Sequence, residues 1–296
     1  MIIFKYNDTM QRDPWVKYHD GYYYYLCAKN DHELYIAKLK DLRELNDATF
    51  TCVYVAPEGT MHSHELWAPE LHIIDGKCYI YVACDDGDNQ NHRMYVLENH
   101  SNNPLDPYVL HGQITDETNK WAIDGSVFEF NGELYYTWSG WEGDENVMQE
   151  IFIAKLSDPY TISSKRVSIS KPELEWELHG GTPLINEGPV GIVHDGKLFI
   201  TYSASGSWTN YYAIGLLELV GTDLLDKNSW KKHEKPLVTP TETKKGPGHN
   251  SFTTINGETY IVYHQFNEDC KYGWNSVNVH LDKINWVDGY PVFEEI

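Results

Sequence analysis

Five Asp-Gly or Asn-Gly dipeptides, Asp20-Gly21, Asp75-Gly76, Asn131-Gly132, Asp195-Gly196 and Asn256-Gly257, stand 55, 56, 64 and 61 residues apart along the chain. Such pairs are strong two-residue hairpin signals because both positions tolerate the positive φ that a type I′ turn demands. Each is followed by an apolar or aromatic run: Tyr22 to Cys27, Lys77 to Ala83, Glu133 to Trp138, Lys197 to Ser203 and Glu258 to His264. A third strand-like run follows a polar loop in every copy, as Leu34 to Leu39, Arg93 to Leu97, Ile151 to Leu156, Ala213 to Leu217 and Ser276 to His280, and stretches such as Phe50 to Val55 serve as fourth strands. Helical periodicity is nowhere sustained for three turns. A unit that recurs at a near-constant period is one supersecondary element stacked on itself. Five four-stranded antiparallel meanders filling 296 residues therefore predict an all-β chain, a five-bladed β-propeller in one domain over 1–296. A β-sandwich is the competing arrangement, and it gives no reason for the regular spacing. Met1 to Tyr6 joining the last blade, or packing alone, would close the ring.

Composition narrows the partners. The 44 acidic residues against 23 basic ones give a formal charge of −21, which repels the phosphate backbone of a nucleic acid. A neutral ligand is the easier match. Tyr, Trp and Phe make up 14% of the chain; most are expected in packing between sheets, and exposed ones would stack on sugar rings. The five cysteines, Cys27, Cys52, Cys78, Cys84 and Cys270, are odd in number and lack CxxC spacing, so neither a disulfide framework nor a zinc site is expected. No apolar run is long enough to span a bilayer, and no basic-then-apolar leader opens the sequence. These features lead to the expectation of a soluble, cytoplasmic protein without a membrane or nucleic-acid partner; a trimmed leader would make it secreted. Asp85-Asp86-Gly87-Asp88-Asn89 lacks the calcium-loop pattern and is expected to be a solvated turn.

Counting back seven residues from the first turn residue lands on Asp13, Asp124 and His249 in units one, three and five, and counting back eight lands on Glu187 in unit four; unit two has Trp67-Ala68-Pro69-Glu70 there. The first strands of propeller blades line the central channel and run the same way, so these positions converge on one mouth. Three carboxylates brought together repel one another, and at least one must hold its proton to higher pH. That separation of acid and base is what glycoside hydrolysis needs: one carboxylic acid protonates the leaving oxygen and an opposite carboxylate activates water or attacks the sugar. Asp13 and Glu187 fall on units separated by one intervening unit on the shorter path. That favours the wider class of carboxyl spacing, roughly 6.5–9.5 Å, which leaves room for a water and inverts the anomeric centre. Taken singly, Asp13-Pro14 and Asp124-Gly125 are also ordinary turn formers, and His249 reads equally as a packed core histidine or as a ligand of a channel ion.

The ordered set RDPWV (12–16), SHELWAPELH (63–72), WAIDGSVFEFNGELYYTWSGW (121–141), INEGP (185–189), YSASGSW (202–208) and GPGHNSF (246–252) resembles glycoside hydrolase family 43 in its arabinofuranosidase-type branch. The resemblance implies a five-bladed propeller of inverting glycosidases. It implies Asp13 as general base, Glu187 as general acid and Asp124 as the residue that raises and orients the acid. It further implies Trp67, Ile123, Trp141 and Ser205 in the sugar pocket, and His249 as the residue through which waters hold an ion, often calcium, at the channel centre; no cofactor is implied for the chemistry itself. The expected activity is release of terminal α-L-arabinofuranose from arabino-oligosaccharides or arabinan side chains. A β-xylosidase, an endo-arabinanase and a non-catalytic carbohydrate-binding propeller are the alternatives. One departure is visible: similar members carry an arginine in the last blade that reaches the substrate side, and the run Ser276 to Asp282 has none.

Overall fold

The computed structural model describes residues 1–5, 9–267 and 276–296; Tyr6 and Cys270 lie outside them. It is a five-bladed β-propeller. Blade 1 runs through Trp15–His19, Tyr22–Lys29, Glu33–Leu39 and Phe50–Val55, and blade 2 through His64–Ile74, Lys77–Asp85, Arg93–Asn99 and Val109–Gln113. Blade 3 is Ala122–Phe130, Glu133–Gly140 and Glu150–Asp158, with Thr161–Ile162 and Val167–Ser170 both pairing its third strand. Blade 4 is Asn186–His194, Lys197–Ala204, Ala213–Leu219 and Trp230–Lys232, and blade 5 begins with Lys245–Ile255, Glu258–Phe266 and Val277–Val287.

The five dipeptides form the hairpins between first and second strands. Both residues of each have positive φ, as Asp20 at 48° and Gly21 at 77°, the geometry that matches strand twist. A sixth turn of this kind, Asp288-Gly289, joins Val287 to Tyr290 within blade 5. It falls outside the repeat count because it links a third strand to a fourth.

The ring closes through the long third strand of blade 5. Tyr290–Glu294 pairs one end of it, and the N-terminal Ile2–Phe4 pairs the other, with Ile2 opposite His280 and Phe4 opposite Val279. The hydrophobic clusters lie between blades. Leu26, Leu71 and Ile80 belong to the blade 1–2 interface, Tyr81, Tyr136 and Trp138 to blades 2–3, and Phe128, Ile153 and Tyr202 to blades 3–4. Ile214, Ile261 and Tyr263 fill the blade 4–5 interface, and Phe4, Tyr25, Val262 and Val279 the blade 5–1 interface.

The innermost strands contact one another in ring order, that of blade 5 returning to that of blade 1. Within or just before each stands a left-handed residue seven positions ahead of the turn: Asp13 (φ 49°), Ala68 (42°), Asp124 (56°), Gly188 (57°) and His249 (51°). In blades 2 to 5 the pairing of first and second strands shifts register across that position. A bulge with a left-handed residue re-aims the side chains beside it, and a non-glycine residue there stores strain of a kind that concentrates at functional sites. The expectation of a solvated 85–89 turn holds only in part. Asp85 is fully buried against the buried His92, Nδ1 to Oδ2 2.8 Å, while Asp86 to Asn89 are exposed.

Candidate active site

The five left-handed positions surround one mouth. A cavity of about 240 Å³ opens there, with Asp13, Asp124 and Glu187 in its wall. The three carboxyls come from blades 1, 3 and 4, and different partners hold them. Asp124 is buried in Ala122–Phe130, and its Oδ2 accepts the amide N–H of Gly188 at 2.9 Å, tying blade 3 to blade 4. Glu187 precedes that glycine, and its Oε1 accepts the hydroxyl of the fully buried Tyr212 at 2.7 Å. The ring of Tyr212 lies so close under Gly248 that a Cβ there would fall 1.9 Å from Cε1; the glycine of GPGHNSF is what lets the tyrosine reach the acid. Asp13 keeps some exposure, its amide donates to His264 Nδ1 at 3.2 Å, and its Oδ1 lies 3.1 Å from His249 Nδ1. The His249 amide in turn donates to Ser203 Oγ at 2.7 Å.

The electrostatics separate these groups. Burial pushes Glu187 up to about 7, with the Tyr212 hydroxyl pulling down and the charge of Asp13 adding to the rise. Burial, then the charges of Glu187 and Asp13, hold Asp124 well above the usual carboxylate range, against the pull of the Gly188 amide. Two buried carboxyls in one wall titrate together, and both hold their protons to higher pH than free carboxyls do. Burial depresses His249, and His264 further, the latter helped by Arg12 and His249; both imidazoles stay neutral beside Asp13. A fourth carboxyl, Glu70, stands outside the cavity wall. Burial holds it well above its ordinary range, and its Oε2 lies 2.8 Å from His72 Nε2.

Of the residues expected to meet the sugar, Trp67 and Ile123 line the cavity and His249 stands beside them. Trp141 and Ser205 do not. Trp141 is buried one layer back, stacked on Trp121 at 4.8 Å and 9°, and it is Trp121 that faces the cavity. Ser205 is fully buried with its hydroxyl spent on the carbonyl of Trp176 at 2.7 Å, and Ser207 and Trp208 reach the cavity in its place. The lining also includes Arg12, beside Asp13. Arg12, Trp121, Ser207 and Trp208 all sit inside the quoted motifs, next to or near the residues singled out; Tyr212 and His264 lie outside them.

Sequence and structure comparisons match the chain to known proteins along nearly its whole length. The profile of Glycosyl hydrolases family 43 matches residues 8–291. A protein of Streptomyces avermitilis named extracellular exo-α-(1→5)-L-arabinofuranosidase is 38% identical over 95% of this chain, and α-L-arabinofuranosidase 43 of Humicola insolens is 35% identical over 94%. The chain spans 61% and 60% of the lengths of these two relatives. The crystal structure of an α-L-arabinofuranosidase from Lactobacillus brevis superposes with a TM-score of 0.90 at 33% identity, covering 99% of this chain and 96% of that one.

Proposed function

The chain belongs to glycosyl hydrolases family 43, and from that premise we propose that it is an inverting exo-acting α-L-arabinofuranosidase, with Glu187 as general acid, Asp13 as general base and Asp124 setting and orienting the acid. The observation that carries this reading is the contrast between two carboxyls in one cavity. Glu187 is buried and pushed up to about 7, so it holds a proton to give. Asp13 is partly open to solvent and flanked by neutral imidazoles, so it can accept one from water. As the glycosidic bond breaks, the Glu187 proton goes to the leaving oxygen, water attacks the opposite face of the anomeric carbon, and its proton goes to Asp13. Arabinofuranose as the sugar is supported by the names of the relatives. The extracellular naming of the Streptomyces avermitilis relative favours a site of action outside the cell over the cytoplasmic one expected from sequence.

The test is proton NMR of the first minutes of hydrolysis of α-1,5-arabinotriose, with a panel of p-nitrophenyl glycosides to fix the sugar. β-L-Arabinofuranose is expected as the first product, appearing before mutarotation. Initial release of the α anomer would overturn the mechanism and the role of Asp13 together.

We propose as well that a hydrated ion, calcium first, sits near His249. Its Nδ1 is engaged with Asp13, and among the described residues no three His, Cys, Asp or Glu side chains converge as a cage. What fits is therefore an ion held through waters, and the buried His264 Nε2 and the side-chain amide of Asn250, which lack protein partners, call for such waters. Metal analysis of the purified protein should find about one equivalent of a divalent ion; a metal-free protein with activity indifferent to chelator would remove the ion.

A further inference from the structure

We infer that the exposed rings of Trp208 and Tyr211, on the loop between the second and third strands of blade 4, form a platform for the sugar on the leaving-group side of the scissile bond. The inference rests on the reading of Glu187 as the acid. In an inverting reaction the acid and the attacking water stand on opposite faces of the anomeric carbon, so the departing sugar must lie on the acid's side. Glu187 belongs to blade 4, and the same blade carries this loop. Glu187 pairs with Ser203 across the sheet, the strand ends at Ala204, and Trp208 and Tyr211 follow within one loop that ends at Tyr212, the residue bonded to Glu187. The loop thus holds the acid at one end and displays aromatic surface along its length.

That surface is not packing left unfinished. Trp208 lines the catalytic cavity and yet remains 42% exposed, and Tyr211 is 56% exposed. Both belong to a braced structure. The Trp208 indole lies over Gly206, where a Cβ would meet Cε2 at 2.6 Å, so only glycine lets it lie flat. Gly206 itself donates its amide to the His179 carbonyl at 2.8 Å, and the His179 ring stacks on Tyr211 at 4.2 Å and 18°. Flat, rigid aromatic faces at the lip of a pocket bind at low entropic cost, and the C–H faces of a sugar ring are the apolar surface that complements them. The predicted ligand is the next pentose of a neutral arabino-oligosaccharide: Trp208 takes the first leaving-group residue and Tyr211, further along the loop, the one beyond.

The experiment compares kcat/KM on α-1,5-arabinotriose with kcat/KM on α-L-arabinofuranosyl azide, whose leaving group has no ring to stack. In Trp208→Ala the ratio of the two is expected to fall by roughly fivefold or more, mostly through a higher KM for the trisaccharide, and Trp208→Phe should recover part of it. Tyr211→Ala should lower the trisaccharide against the disaccharide, because only the longer substrate reaches it. A Trp208→Ala ratio that falls by less than this overturns the platform while the activity reading stands. A wild-type protein that hydrolyses neither substrate overturns the activity reading, and the platform with it.

Discussion

A carboxyl withdrawn from water keeps its proton, and at Glu187 that has a consequence for stability as well as for catalysis. The ordinary value of a glutamate is 4.5 and the folded value about 7. Between the two, the native state binds a proton that the unfolded chain has released, so by linkage stability falls as pH rises through this window. The contribution is harmless below about pH 4.5 and reaches a cost of about 3 kcal/mol above pH 7. Glu187→Gln keeps the shape and the acceptor for Tyr212 but removes the charge. It is therefore expected to abolish hydrolysis of oligosaccharides and, at pH 8, to raise the unfolding free energy by about 2–3 kcal/mol, with little change at pH 4. Urea denaturation at the two pH values checks this; an equal change at both would show that the acid is not the group being titrated. In the wild type the same group requires kcat/KM to decline as pH passes about 7.

At the scale of strands and turns, what could be read in advance was what local chemistry determines. Asp-Gly and Asn-Gly specify their own turn geometry, so all five first hairpins were legible, and the strands differ from expectation mainly by residues at their ends. The entrance positions were legible for a reason that emerges only from the backbone: the left-handed residue lies seven places before the turn in every blade. Asp and His tolerate that conformation and announce themselves; Ala68 does not, and in blade 4 Gly188 takes the position, which is why the acid is found one residue earlier. Partners distant in sequence were not legible. Both Trp121 and Trp141 belong to one motif, and only their stacking decides which indole faces the cavity. Ser205 is oriented away by a carbonyl 29 residues earlier. Asp85 resembles its acidic neighbours in sequence, and its burial follows from His92, which the loop brings back against it.

Over the whole ring, the seam between blades 5 and 1 carries both the closure of the fold and half of the proposed chemistry. The N-terminal Ile2–Phe4 strand crosses it, placing Ile3 and Phe4, 1% and 2% exposed, in a cluster with Tyr25 of blade 1 and Val262 and Leu281 of blade 5. The Phe4 ring meets Tyr25 edge-on at 5.5 Å and Phe50 at 5.9 Å. Across the same seam, nearer the axis, Asp13 of blade 1 meets His249 and His264 of blade 5, and Ser251 Oγ donates to the Pro14 carbonyl at 2.8 Å. Every other interface joins blades consecutive in sequence, so their separation is limited by a short connection; this one joins the first blade to the last, and packing, strand pairing and the hydrogen bonds across the seam hold it. Phe4→Ala should therefore destabilise the protein by about 3–5 kcal/mol, as truncation of a buried phenylalanine does. It should also loosen the seam before the remaining blades unfold. The expected signature is loss of hydrolysis at urea concentrations below the main loss of tryptophan fluorescence, whereas in the wild type the two coincide. A variant in which activity and fluorescence are lost together would mean that the five interfaces open as one unit, and that the N-terminal strand adds stability without guarding the position of Asp13.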